Sequence, residues 1–145
     1  MKPLESRRGQ ARVAAMRFLY EREYQRELDL AEALRRHFEF MQVKDGVAGY
    51  ARMLIEGVAA KEAEIDPLIE SHLDNWKLSR LTRVDRIVLR LGVYEMLYGD
   101  GVPPKVIINE MVELAKLYST ADSSSFTNGI LDAAYHALQR EGKLG

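Results

Sequence analysis

Apolar residues recur along this chain at intervals of three and four, the spacing of one helical face, through most of the sequence between its prolines at 3, 67, 103 and 104. Alternating apolar runs bounded by turn residues do not recur, so strands are not expected. The first helix is predicted over residues 7–26, with Val13, Met16, Leu19, Tyr20 and Tyr24 on its apolar side. Asp29, with Glu32 three residues on, has the pattern of a capping box. It opens a second helix whose face is Leu30, Ala33, Leu34, Phe38 and Met41.

Asp45 or Gly46 starts a third helix carrying Val47, Tyr50, Leu54, Val58 and Ile65. Asp66-Pro67 then reads as a fresh start, an acid at the N-cap followed by proline at the first helical position. The short fourth helix it opens holds Leu68, Ile69 and His72 or Leu73, and Asn75-Trp76-Lys77-Leu78-Ser79 breaks it. Thr82 with Asp85 resembles another capping box and begins a fifth helix through Val84, Ile87, Val88, Leu91, Tyr94 and Leu97. That helix is apolar over much of its circumference, which places it in the middle of the fold. After the loop Gly99-Asp100-Gly101-Val102-Pro103-Pro104, a sixth helix runs from about Ile108 or Asn109 to Tyr118. Ser119 to Ser125 supplies small polar caps for the last helix, which carries Phe126, Ile130, Ala133 and Ala137 on one face, with Leu131, Ala134 and Leu138 close by. The expectation is an all-α, seven-helix bundle.

Length and composition narrow the class. At 145 residues, 47% of them hydrophobic, the chain is expected to form one domain with a real core. The absence of cysteine excludes a disulfide framework and a thiol nucleophile, and fits a reducing cytoplasm. No apolar run reaches the roughly 18 residues of a membrane span, and the start lacks the apolar segment of a secretory signal. The expected location is cytoplasmic, away from any membrane.

Charge changes the picture at one end. The first 20 residues hold five bases (Lys2, Arg7, Arg8, Arg12, Arg17) against one acid (Glu5), a net of +4 in a chain whose total is −1. At helical spacing, the only acid near Arg7, Arg8 and Arg12 is Glu5, beside Arg8. Like charges four apart weaken a helix by a few tenths of a kcal/mol, so such a cluster points to an external anion. Arg8 and Arg12 lie about 40° apart on a helical wheel, so both are expected to face solvent and reach one phosphate backbone. A frayed, solvated helix end is the plain alternative.

Two other clusters are weighed beside it. Arg83, Arg86 and Arg90 have no acid at i±3 or i±4 within their helix. Pairing with acids on other helices, such as Glu110 and Glu113, is the favoured reading, with an outward, RNA-facing role left open. Asp122-Ser123-Ser124-Ser125-Phe126 could offer backbone N–H groups to a phosphate and an aromatic ring to a base. Ordinary capping, with Phe126 as a core anchor, is the simpler account. Catalysis is not expected. His37, His72 and His136 stand far apart without metal-ligand spacing, and no phosphate-binding or nucleophile motif occurs, so neither a metal nor a cofactor is implied.

Together these segments resemble the NusB family of transcription antitermination factors. The resemblance is carried by Arg7-Arg8 with Ala11-Arg12 and Leu19-Tyr20, then by Trp76-Lys77-Leu78-Ser79-Arg80-Leu81. It continues through Val84-Asp85-Arg86-Ile87-Val88-Leu89-Arg90-Leu91-Gly92-Val93-Tyr94-Glu95, and through Ile108-Asn109-Glu110 to Glu113-Leu114-Ala115-Lys116. It closes on Phe126-Thr127-Asn128-Gly129-Ile130-Leu131-Asp132. It implies two packed helical subdomains that bind boxA RNA together with NusE, a small-subunit ribosomal protein, and join the RNA polymerase antitermination complex that supports ribosomal-RNA transcription.

By that resemblance Arg7, Arg8, Arg12, Tyr20 and Phe126 are RNA-contact residues, and Asp85 and Asp122 meet the partner. Two departures matter. Gly9-Gln10 interrupts the usual basic run, and Ser125 stands where lysine is common. Three arginines at about −0.7 each give a salt slope of about −2, so weak RNA binding without NusE is expected. Two other readings remain. One is a homodimer with no RNA role. The other is an accessory domain like that preceding the methyltransferase domain of ribosomal-RNA cytosine methyltransferases, although no Rossmann-like glycine motif occurs up to Gly145.

Overall fold

The structure, a computed structural model, describes residues 3–74, 77–99 and 101–145. Lys2 of the basic start, Asn75-Trp76 of the expected break and Asp100 of the loop lie outside them. The described residues form six α-helices and one 3-10 turn, with no strand. The helices are α1 (Arg7–Arg22), α2 (Leu30–Phe40), α3 (Asp45–Glu70), α4 (Arg83–Tyr98), α5 (Pro104–Tyr118) and α6 (Ala121–Glu141); the turn is Leu78–Arg80.

The all-α class holds, but the expected third and fourth helices are one. Pro67 lies inside α3, and Asp66 is no N-cap. Proline deletes one backbone hydrogen bond and strains the preceding turn, a cost of about 3 kcal/mol in mid-helix. Ile65 and Ile69 on either side are both fully buried, and each such side chain contributes roughly 1.5–3 kcal/mol. Breaking the helix would forfeit that face, so the proline is carried through near the helix end.

The starts of α1 and α3 fall where expected, and three expected caps form. Asp29 accepts from the Glu32 N–H at 3.2 Å, and Thr82 Oγ1 accepts from the Asp85 N–H at 3.2 Å. Thr120 caps α6 by accepting from the Ser123 N–H at 3.1 Å. Two boundaries move. α1 stops at Arg22 rather than Arg26. The chain there turns sharply, with Arg22 Nη1 donating to the Leu28 carbonyl at 2.5 Å. α5 begins at Pro104, four residues earlier than expected, because proline at the first helical position needs no N–H partner.

The core runs continuously through all six helices. α4 lies in its middle, against α1, α3, α5 and α6. α3 and α4 approach closely at Gly57, where a Cβ would lie 2.0 Å from Tyr94 Cζ. α2 stays further from the other helix backbones and ties in through the buried Leu34, His37 and Phe38.

Candidate nucleic-acid interface

The basic start is an ordered helix end. Ser6 caps α1 by accepting from the Gly9 N–H at 2.9 Å, and Gly9, Ala11 and Arg12 are buried. Ahead of it the chain folds back over the helix. Leu4 adopts φ 67°, and its N–H donates to Glu110 Oε2 at 3.0 Å. A Cβ at Gly9 would lie 2.5 Å from Leu4 Cα. Glycine is therefore required where the basic run is interrupted, and a larger residue would expel the folded-back segment.

The expectation that Arg12 faces solvent is corrected. Its residue is 2% exposed. Its Nε and Nη2 donate to the two Glu95 oxygens at 2.7 and 2.8 Å, and Nη1 to Glu110 Oε1 at 2.9 Å. Tyr50 OH donates to Glu95 Oε1 at 2.5 Å. Burial lowers the Arg12 pKa, but the hydrogen bonds and negative charge of Glu95, aided by Tyr50 and Glu110, outweigh it and the net direction is upward. Burial, then donation to Glu95, pushes the Tyr50 phenol above its ordinary value. The cluster ties α1 to α3, α4 and α5, and turns all three guanidinium nitrogens of Arg12 to internal carboxylates.

The other two candidates on this end differ from Arg12. Arg8 is half-buried, with its guanidinium 4.9 Å from the Tyr50 ring centroid. Arg7 is exposed and extends over the start of α3, where a Cβ at Gly46 would lie 3.7 Å from its Nε. Tyr20 is 38% exposed and packs edge-on to Tyr24 at 6.4 Å between ring centroids. The Arg83 guanidinium sits 4.8 Å from the Tyr20 centroid and 4.0 Å from that of Tyr24. Tyr20 borders a hollow of about 300 Å³ shared with Met16, Arg17, Glu21, Val84 and Tyr118.

The helix starts of α4 and α6 meet beside that hollow. Ser123 Oγ donates to Asp85 Oδ1 in a short contact, so Asp85, next to Val84, is held by α6. Asp122 is exposed on the first turn of α6, and Phe126 is half-buried against the core. The Tyr20 hollow and the start of α4 thus form one neighbourhood, which Asp85 links to the first turns of α6 that carry Asp122 and Phe126. Arg7 and Arg8 belong to another, about 20 Å away along α1.

Arg83, Arg86 and Arg90 turn to acids on other helices and in the α1–α2 loop, as favoured, though not to the acids expected. Arg83 and Arg86 both pair with Glu23, at 2.6 and 3.0 Å. Arg90 pairs with Glu62 at 3.0 Å and Asp66 at 2.9 Å. Glu110 is taken by Arg12, and Glu113 lies 3.5 Å from Lys116. A residue the sequence reading passed over is Arg17. It is exposed, borders the Tyr20 hollow, and has no ion-pair or hydrogen-bond partner among the described residues. It is one of the five bases counted in the first 20 residues, and Glu21, one turn further on, contacts His37 Nδ1 at 3.1 Å rather than Arg17.

Comparison with known proteins gives this geometry a context. Residues 9–136 match the family model described as the NusB family. The chain is 44% identical over 125 residues to the transcription antitermination protein NusB of Listeria monocytogenes, covering 86% of this chain and 93% of that one. The protein of that name from Myxococcus xanthus is 50% identical over 91 residues, covering 63% of this chain and 65% of its own. The solved T. maritima NusB superposes with a TM-score of 0.82 at 38% identity, covering 94% of this chain and 93% of that one. A chain in the crystal structure of antitermination factors NusB and NusE with double-stranded RNA gives a TM-score of 0.78 at 32% identity, covering 88% and 94%. The family match reaches from the first turn of α1 well into α6: the chain belongs to the NusB family.

Proposed function

We propose that this protein is a transcription antitermination factor that binds boxA RNA together with NusE and joins the RNA polymerase antitermination complex, supporting ribosomal-RNA transcription. The likeness to the chain solved with NusE and RNA, across 88% of this sequence, carries the reading. The curated relatives are named as transcription antitermination proteins rather than enzymes. No helix among the described residues is long and apolar enough to cross a membrane, and the reading puts the protein in the cytoplasm. One RNA-binding domain of two packed helical subdomains belongs to the same proposal.

Within it, Arg7, Arg8, Tyr20 and Phe126 meet RNA, and Asp122 meets the partner protein. Arg12 and Asp85 serve through position, the first by fixing α1 and the second by holding the start of α6. Arg7 and Arg8 supply a salt slope of only about −1.4 between them. The test is filter binding of boxA RNA with and without NusE across a salt series. The expected result is weak binding by the protein alone and much tighter binding with NusE. Tight, steeply salt-dependent binding without NusE would count against the need for a partner. A stable homodimer indifferent to both RNA and NusE would favour the structural alternative.

A further inference from the structure

A second hollow, of about 260 Å³, lies on the other side of Arg17 from Tyr20, between α1 and the α2–α3 connection. Val13, Ala14, Met41 and Val47 give it an apolar lining, and Gln10, Arg17, Gln42 and Lys44 a polar one. His37 also lines it, and Glu21 faces His37 from the Tyr20 side. No carboxylate lines the hollow itself, in a chain whose acids outnumber its bases. The side chains of Arg17 and Lys44 are both exposed, and neither has an ion-pair or hydrogen-bond partner among the described residues.

The position of Arg17 on α1 is the second observation. At about 100° per residue, Arg7 and Tyr20 point about 140° apart and cannot contact one straight strand. Arg17 falls between them, about 80° from Arg7 and 60° from Tyr20. Arg7 in turn reaches over Gly46, two residues past Lys44. Cations therefore run from the Tyr20 hollow across Arg17 to Lys44 and Arg7, beside an apolar recess with amide groups.

Gln42 supplies the third. α2 ends in a Schellman motif, with the Val43 N–H donating to the Phe38 carbonyl at 3.0 Å and the Gln42 N–H to the Glu39 carbonyl at 3.2 Å. The left-handed residue of that motif is Gln42, at φ 52°. The equivalent place after α6 is Gly142, the residue such a turn normally takes. A side chain kept where glycine fits better points to a use for it, and Gln42 lines the hollow.

We infer that this recess binds a second nucleotide of the RNA strand that meets Tyr20, its phosphates neutralised by Arg17 and Lys44 and its base held against Val13 and Met41 within reach of the Gln42 amide. The inference rests on the RNA-binding function proposed above. Positive lining beside an apolar surface is the combination that tracks single-stranded RNA.

The test uses the protein with NusE and boxA RNA in filter binding across a salt series, comparing wild type, the double variant Arg17→Gln/Lys44→Gln, and Gln42→Gly. Two lost phosphate contacts should make the salt slope of the double variant shallower by about 1.4, with its melting temperature unchanged. Gln42→Gly should melt no lower than wild type yet bind RNA less tightly. A double variant with the wild-type slope and affinity overturns the recess while the proposed function stands. Loss of NusE affinity in the absence of RNA would overturn it too, making the occupant protein. Wild-type protein that binds no RNA even with NusE removes both readings.

Discussion

Arg12 shows how a charge that looks available in sequence becomes structural. Its two carboxylate partners lie 83 and 98 residues away, so helical spacing around position 12 carried no trace of them. No acid of α1 pairs with Arg12, and its partners lie inside the fold rather than outside it. Removing one side of a buried ion pair leaves the other uncompensated, at a cost of roughly 3–5 kcal/mol. Arg12→Ala is therefore expected to lose about that much stability in chemical denaturation, whereas Arg7→Ala should stay within about 0.5 kcal/mol and weaken RNA binding. Gly9→Ala should cost about 1–3 kcal/mol through overpacking against Leu4. Tyr50 gives the cluster a pH dependence. Its folded pKa is raised above the ordinary 10.0, so the unfolded chain loses that proton first. The contribution is complete below pH 10 and declines as pH rises above it. Melting midpoints should fall on the alkaline side of that value, and Tyr50→Phe should flatten part of the fall; an unchanged profile would contradict the assignment.

At the level of whole elements the periodicity was readable and the punctuation was not always. The apolar circumference of α4 predicts a central place, and the helix touches four others. The N-caps Asp29 and Thr82 were legible because capping is a contact over three residues. Asp66-Pro67 has the same look, yet Asp66 faces Arg90, and Ile65 and Ile69 continue a buried stripe set by Leu54 and Val58. A stripe unbroken across a proline outweighs the local start signal. Phe126 belongs here as well, because it anchors the first turns of α6 while half-buried. Phe126→Ala should cost less than the roughly 3–5 kcal/mol of a fully buried phenylalanine. It should also reduce boxA binding at temperatures where the variant remains folded. A loss of stability with unchanged RNA affinity would make it a core residue only.

Over the whole molecule, net charge conceals the division of labour. The chain sums to −1, and much of its internal arginine is matched by acids on neighbouring elements. The exposed positive charge on α1 and at the start of α3 belongs to Arg7, Arg17 and Lys44. The overall likeness to NusB was readable because its motifs span most of the sequence. The Arg17 recess was not, because it is assembled from residues 10–17 and 37–47 only when α1 and α3 pack together.

The burial of Glu95 has a further consequence. A carboxylate with a fully buried side chain is tolerable only with its guanidinium in place, so α1 cannot lift from α4 and α5 without leaving that charge stranded. The end that presents Arg7 and Arg8 therefore opens together with the core rather than fraying on its own. In native-state hydrogen exchange, amides of the second turn of α1 should exchange as slowly as those in the centre of α4. Fast exchange there, with α4 still protected, would mean that the surface offered to RNA moves independently of the fold.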